Sequence, residues 1–126
     1  MREERGQLAG PLLVYEDFTL WGSIVGDVKV VEGGRLWVRG AIYGDMEVQR
    51  GGRVHVYGNV TGTLVVAKRA KVIVSGVIGG DAINNGGRLF IDARAKVFGN
   101  IKTRAGETTV DTPKTSQKER DMRGDP

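Results

Sequence analysis

The chain has no cysteine, which excludes disulfides and thiolate metal sites and leaves burial and backbone ladders to hold the fold. It also fits a reducing compartment. No stretch approaches the roughly 20 apolar residues of a membrane span, and Leu12-Leu13-Val14-Tyr15 is too short for a signal-peptide core; a cytoplasmic location is expected. No Walker-type phosphate loop occurs among the 20 glycines. The lone histidine, His55, has no orienting acid near it in sequence, and Ser23, Ser75 and Ser116 have no nucleophile elbow or base beside them. No enzymatic activity and no cofactor are expected.

What the sequence does have is a beat. From Phe18 every sixth residue is apolar for eleven steps: Phe18, Ile24, Val30, Leu36, Ile42, Val48, Val54, Val60, Val66, Val72 and Ile78. A period of six belongs to neither a helix nor a flat alternating sheet; it describes a chain coiling round a three-sided core. Glycines recur every third hexad, at Gly22, Gly40, Gly58 and Gly76 and at Gly26, Gly44, Gly62 and Gly80, so one turn is eighteen residues. Alternation such as Leu36, Val38, Gly40 sends every second side chain inward, as a strand requires. The pairs Gly33-Gly34, Gly51-Gly52 and Gly86-Gly87 mark one corner, where Arg69-Ala70 stands in the third turn.

Near Asn84 the phase slips by one residue, read as a deletion at a corner, after which Ile83, Leu89, Ala95 and Ile101 continue the beat. The pattern predicts an all-β chain, a parallel β-helix of about five 18-residue, three-sided turns. Residues 11–104 form this domain. Residues 1–10 and 105–126, charged and aperiodic, are expected to be disordered tails. Within the domain, residues 11–17 are read as a short cap strand over the first turn, with a membrane-touching segment as the alternative.

Net charge is +4, and it is concentrated in the rod, where residues 18–101 hold eleven Lys and Arg against six Asp and Glu. Residues eighteen apart stack vertically, so outward positions read as stripes. Arg35, Arg53, Lys71 and Arg88 follow the double-glycine corner and form a basic edge, read either as a binding strip for an anionic polymer or as a solvated edge that discourages aggregation. Asp27, Asp45 and Asp81, interrupted by Thr63, form a second ladder. Its spacing does not match calcium-binding repeats, and Asp after Gly is a common turn former, so no metal is expected. Thr19, Trp37, His55, Ile73 and Phe90 form a third, partly aromatic stripe, read as a lateral contact surface or as the seat of a terminal segment.

A β-helix exposes an unpaired strand at each end. The ends are expected at Phe18, Leu20 and Trp21 and at Val97, Phe98 and Ile101, and their apolar character points to end-to-end association. Hexapeptide-repeat acyltransferases carry a small residue after the apolar position; Trp37, Tyr43, Gln49, His55, Thr61 and Ala67 stand there instead, which argues against that family.

The segments Gly22-Ser-Ile-Val-Gly-Asp27, Gly40-Ala-Ile-Tyr-Gly-Asp45, Gly58-Asn-Val-Thr-Gly62 and Val97-Phe-Gly-Asn-Ile101 resemble the bactofilins, the polymer-forming bacterial cytoskeletal proteins. The resemblance covers about residues 14–104 and rests on a degenerate Gly-x-Φ-x-Gly pattern. It implies a right-handed helix and a non-catalytic scaffold, with nucleotide-independent filaments joined through the helix ends and Phe98 at the C-terminal joint. It also implies a homopolymer that organises cell-shape or cell-wall proteins at the inner face of the membrane. The alternative is a monomeric or dimeric β-solenoid binding module whose basic edge holds an anionic polymer such as nucleic acid or an acidic glycan.

Overall fold

The computed structural model describes residues 2–111, which contain strands and no helix. The chain winds as a parallel β-solenoid of about six turns with three faces. The first face stacks β1 (Arg2–Glu4), β4 (Asp17–Leu20), β7 (Arg35–Val38), β10 (Arg53–Val56) and β13 (Lys71–Val74). The second stacks β2 (Gln7–Ala9), β5 (Ser23–Val25), β8 (Ala41–Tyr43), β11 (Asn59–Val60), β14 (Val77–Ile78) and β16 (Lys96–Val97). On the third lie β3 (Leu12–Val14), β6 (Val28–Val30), β9 (Met46–Val48) and β12 (Leu64–Val66). Two longer strands, β15 (Ala82–Ile91) and β17 (Ile101–Val110), cross from the third face to the first without a break, so those two faces form one 11-stranded sheet beside a 6-stranded one.

Most short strands carry the period-two pattern the sequence predicts, with β7, β10 and β13 all reading exposed, buried, half-buried, buried, whereas in β4 Phe18, Thr19 and Leu20 are all buried. The inward residues are mostly Val, Ile and Leu, whose branched side chains fill a narrow pleated interior. They form one continuous column from Val14 to Ile91, flanked by Leu8, Leu12, Ala95 and Val97. Burying such a side chain contributes roughly 1.5–3 kcal/mol, and every turn supplies several.

The corners explain the glycine ladder. A Cβ on Gly40 would overlap the Gly22 carbonyl oxygen of the turn below and come within 2.5 Å of the Trp21 carbonyl. Backbone passes over backbone there, and no side-chain rotation can relieve the contact. At the other glycine corner Gly33 and Gly51 have φ of 87° and 80°, and Arg69 takes the same left-handed turn at 63°, a conformation that costs an L-residue roughly 1–2 kcal/mol.

The eighteen-residue repeat governs the middle of the rod, where Phe18, Leu36, Val54 and Val72 stack in register. The next step is seventeen, Val72 over Leu89, because the corner after Asn84 is one residue short. The sixfold beat itself runs through Asn84, which is 0% exposed, and not through Ile83, which points outward beside it. Asn84 is polar because it has to hold the shortened corner. Its Oδ1 accepts from the Gly86 and Gly87 amides at 3.1 and 2.9 Å, and its Nδ2 donates to the Gly87 carbonyl, the Glu107 carbonyl and Thr108 Oγ1 at 3.1, 2.9 and 3.0 Å.

The solenoid extends beyond the expected residues 11–104. Arg2–Glu4 pairs with β4 and Gln7–Ala9 with β5, so residues 2–9 belong to the first turn and are not a disordered tail. Leu12–Val14 pairs with β6 as an ordinary rung of the third face, not as a cap over it. At the other end residues 105–110 are part of β17, in register with β15. The rest of the expected C-terminal tail, residues 112–126, lies outside the described residues.

Candidate functional site

The first face carries most of the chemistry. Its outward residues form three parallel columns. Arg35, Arg53, Lys71 and Arg88 stack in direct register and are extended by an acid at each end, Asp17 over Arg35 and Glu107 beside Arg88. Arg35 donates to both Asp17 carboxylate oxygens, at 3.0 and 3.1 Å. Arg53, Lys71 and Arg88 make no ion pair or side-chain hydrogen bond among the described residues.

Beside these three the double-glycine corner leaves a groove of about 600 Å³, lined by bare backbone at Gly51, Gly52, Gly86 and Gly87 and by Lys68 and Arg69. Five cations thus face one concavity, with Glu107 the one acid in its lining. Lys68 and Arg69 were not read as part of the basic edge in the sequence: Arg69 was read only as the residue standing in for glycine at the corner, and Lys68, eighteen residues after Arg50, lies outside the stripes singled out.

Two residues along each strand lies the second column, Thr19, Trp37, His55, Ile73 and Phe90, also in register. Thr19 is buried, Trp37, His55 and Ile73 are half-buried and Phe90 is exposed. A shallow depression of about 170 Å³ separates the cations from the rings at Arg35, Trp37, Arg53, His55, Lys71 and Ile73. Another of about 140 Å³ continues it past Lys71, Arg88 and Phe90.

The far edge of the face is a stack of alternating cations and rings, Arg5, Trp21, Arg39 and Tyr57. Both guanidinium carbons over Trp21 lie 5.1 Å from its ring centroid, and that of Arg39 lies 4.4 Å from Tyr57. Both tryptophans of the chain therefore sit on this face, with cations at either edge.

His55 stacks on Tyr57 at 3.9 Å between centroids, and its Nε2 lies 3.1 Å from Ser75 Oγ. Ser75 does have a base beside it, contrary to expectation, because a serine twenty residues on lies one turn above. Burial, reinforced by the positive charge of Arg39 and opposed by Asp92, holds the imidazole below its ordinary 6.5. Among the described residues no carboxylate hydrogen-bonds the ring, so nothing fixes the tautomer that a general base needs.

The aspartate ladder has a structural role. Asp27 Oδ1 accepts from the Asp45 amide at 2.9 Å, Asp45 Oδ1 from the Thr63 amide at 2.8 Å, and Asp81 Oδ1 from the Asn100 amide at 2.8 Å. Thr63 Oγ1 faces the Asp81 amide in the same way at 3.4 Å. Each side chain ties its own turn to the next, and the glycine one turn on leaves room for it: a Cβ on Gly62 would overlap Asp45 Oδ1. No group of three or more His, Asp or Glu that could hold a metal ion occurs among the described residues.

The expected ends are placed differently. Phe18 and Leu20 are 2% and 0% exposed, roofed by β1, with the Arg2 guanidinium 5.1 Å from the centre of the Phe18 ring. Trp21 lies one turn inside the rod and donates its indole N–H to Glu3 at 2.9 Å. At the other end the three residues stay near the last layer. Val97 packs on the core. Phe98 is 64% exposed on the outer side of the second face, under Lys96 Nζ at 4.8 Å. Ile101 is 40% exposed at an inward position above Ala82. No described helix is long and apolar enough to cross a membrane. The chain matches no protein family, no curated protein and no solved structure.

Proposed function

We propose that the protein is a non-catalytic scaffold that assembles end to end into filaments without nucleotide, in the manner of the bactofilins its repeat resembles. The observation that carries this reading is the C-terminal layer. Among the described residues the ten residues of β17 pair on one side only, with β15. Their inward positions, Ile101 and Val110, are 40% and 54% exposed, where the equivalent residues one turn below, Ala82 and Ile91, are 0% and 4%. An unpaired edge above an open core is a template for another strand, and a second rod supplies both the backbone partners and the apolar cover.

The joint is built on Val97, Ile101 and Val110, with Phe98 at its rim. Thr103 and Thr108, hydrogen-bonded to each other at 2.7 Å, give it a polar centre. At the opposite end Leu8 and Leu12 are incompletely buried beside the charged strand β1. A cytoplasmic polymer that organises cell-shape or cell-wall machinery is the role the resemblance adds to this geometry. Negative-stain microscopy with sedimentation of the purified chain, without nucleotide or metal, tests the proposal. Long thin filaments are expected, and small uniform particles across the concentration range would overturn it.

A further inference from the structure

We propose that the first face binds single-stranded nucleic acid, with phosphates over the cationic groove and bases against the neighbouring rings. The first observation is uncompensated charge. Elsewhere on the rod most cations are answered: Arg2 by Glu16, Lys29 by Glu47, Arg35 by Asp17, Arg94 by Asp92 and Lys102 by Asp81, and Arg5, Arg39 and Lys96 by rings, with Arg50 and Arg104 the exceptions among the described residues. Arg53, Lys68, Arg69, Lys71 and Arg88 converge on one groove with no such partner among the described residues. Cations stacked at about 4.8 Å per turn repel one another, and a linear polyanion lying along the rod would relieve them all.

The second observation is Arg69. Its turn is left-handed, and the equivalent turns below use glycine. Glycine would remove the strain; arginine keeps it and points a further charge at the groove. Strain of this kind is retained where the side chain has a use.

The third observation sets the class of polyanion. The depressions beside the groove share Arg53, Lys71 and Arg88 with it, so the concave strip continues onto Trp37, His55 and Phe90. A charged track beside the flat side chains of Trp37, His55 and Phe90, with Ile73 between the last two, fits a ligand with regular phosphates and free π faces. A duplex hides its bases, and a carboxylate polymer has none. The strip runs along the side of the rod, so binding does not depend on end-to-end assembly and persists if filaments are absent.

The test is fluorescence anisotropy of the full chain with a labelled oligothymidylate of about twelve nucleotides, against a duplex and a polyglutamate of matching length. Four or five neutralised phosphates predict a log–log salt slope of about −3. Arg69→Gly is expected to weaken binding about fivefold or more while the melting temperature holds or rises. Trp37→Ala is expected to weaken it about tenfold with an unchanged salt slope. No binding at about 50 mM salt, equal affinity for duplex or polyglutamate, or parent-like binding by Arg69→Gly would each overturn the proposal; the last needs no change at a packed ring, so a folding defect in Trp37→Ala leaves the test decisive.

Discussion

Replacing Asn84 with valine separates two accounts of this fold. If the six-residue apolar beat were the whole rule, Asn84→Val would restore it at a position that is 0% exposed and stabilise the chain by the roughly 2 kcal/mol that burying a valine is worth. The structure predicts the opposite. The change strips partners from the Gly86 and Gly87 amides, the Gly87 and Glu107 carbonyls and the Thr108 hydroxyl. At about 1 kcal/mol per group left unsatisfied, the loss of about 4–5 kcal/mol outweighs the gain and leaves a net cost of about 2–3 kcal/mol. Because a solenoid turn contacts only its neighbours, the cost should fall on the last turn. Urea unfolding followed by circular dichroism should show the lowered stability. Hydrogen exchange should show faster amides in β17 and unchanged ones in β7 and β10. A variant as stable as the parent, with β17 still protected, would refute the reasoning.

Other substitutions test the ladders one at a time. Gly40→Ala forces a Cβ against the Gly22 carbonyl and is expected to cost about 3 kcal/mol in denaturant unfolding; a change below about 1 kcal/mol would mean that the turns can separate there. Asp45→Ala removes the acceptor of the Thr63 amide, worth about 1 kcal/mol at this exposed site, and exchange at Thr63 should quicken while the fold persists. His55 binds protons less readily in the folded chain than in the unfolded one, chiefly because it is buried. Its contribution is therefore complete above pH 6.5 and lost as pH falls through the lower folded value. The parent should lose more melting temperature between about pH 7 and pH 5 than His55→Gln does, and parallel profiles would contradict this.

The middle of the fold was legible because its signals are redundant. Apolar hexads, glycine corners and vertical stripes agree over four turns, and the stripes pair as the eighteen-residue count requires. The first turn was missed because it is shorter, with Arg2, Leu8 and Leu12 lying sixteen residues before their partners Phe18, Ile24 and Val28, and because its inward positions on the first face are the charged Arg2 and Glu4. The completion of the last turn, residues 105–110, was missed for a related reason: Ile101 lies nineteen residues after Ala82, and the inward Thr103 and Thr108 carry no apolar signal. Placing the N-terminal end at Phe18 followed directly from the missing turn.

The candidate site was half legible. Its columns follow from spacing alone. The groove does not, since it arises where the missing residue after Asn84 and the left-handed Arg69, both departures from the repeat, coincide with the bare glycines of the corner. The Ser75 contact with His55 was invisible for the same reason, because a separation of twenty residues falls outside the strict column. Asp17 lies one full repeat before Arg35 and could have been found by extending the basic stripe one turn toward the N-terminus.

End-to-end assembly has a measurable length. Six turns at about 4.8 Å each make one rod about 30 Å long, and a joint that continues the β-ladder keeps that spacing from subunit to subunit. Diffraction from aligned filaments, or the power spectrum of their micrographs, should show a reflection near 4.8 Å along the axis and a subunit repeat of about 30 Å or its double, and Ile101→Arg should abolish both by placing a charge over the open core. Filaments whose 4.8 Å reflection lies across the axis, or that persist in Ile101→Arg, would contradict it.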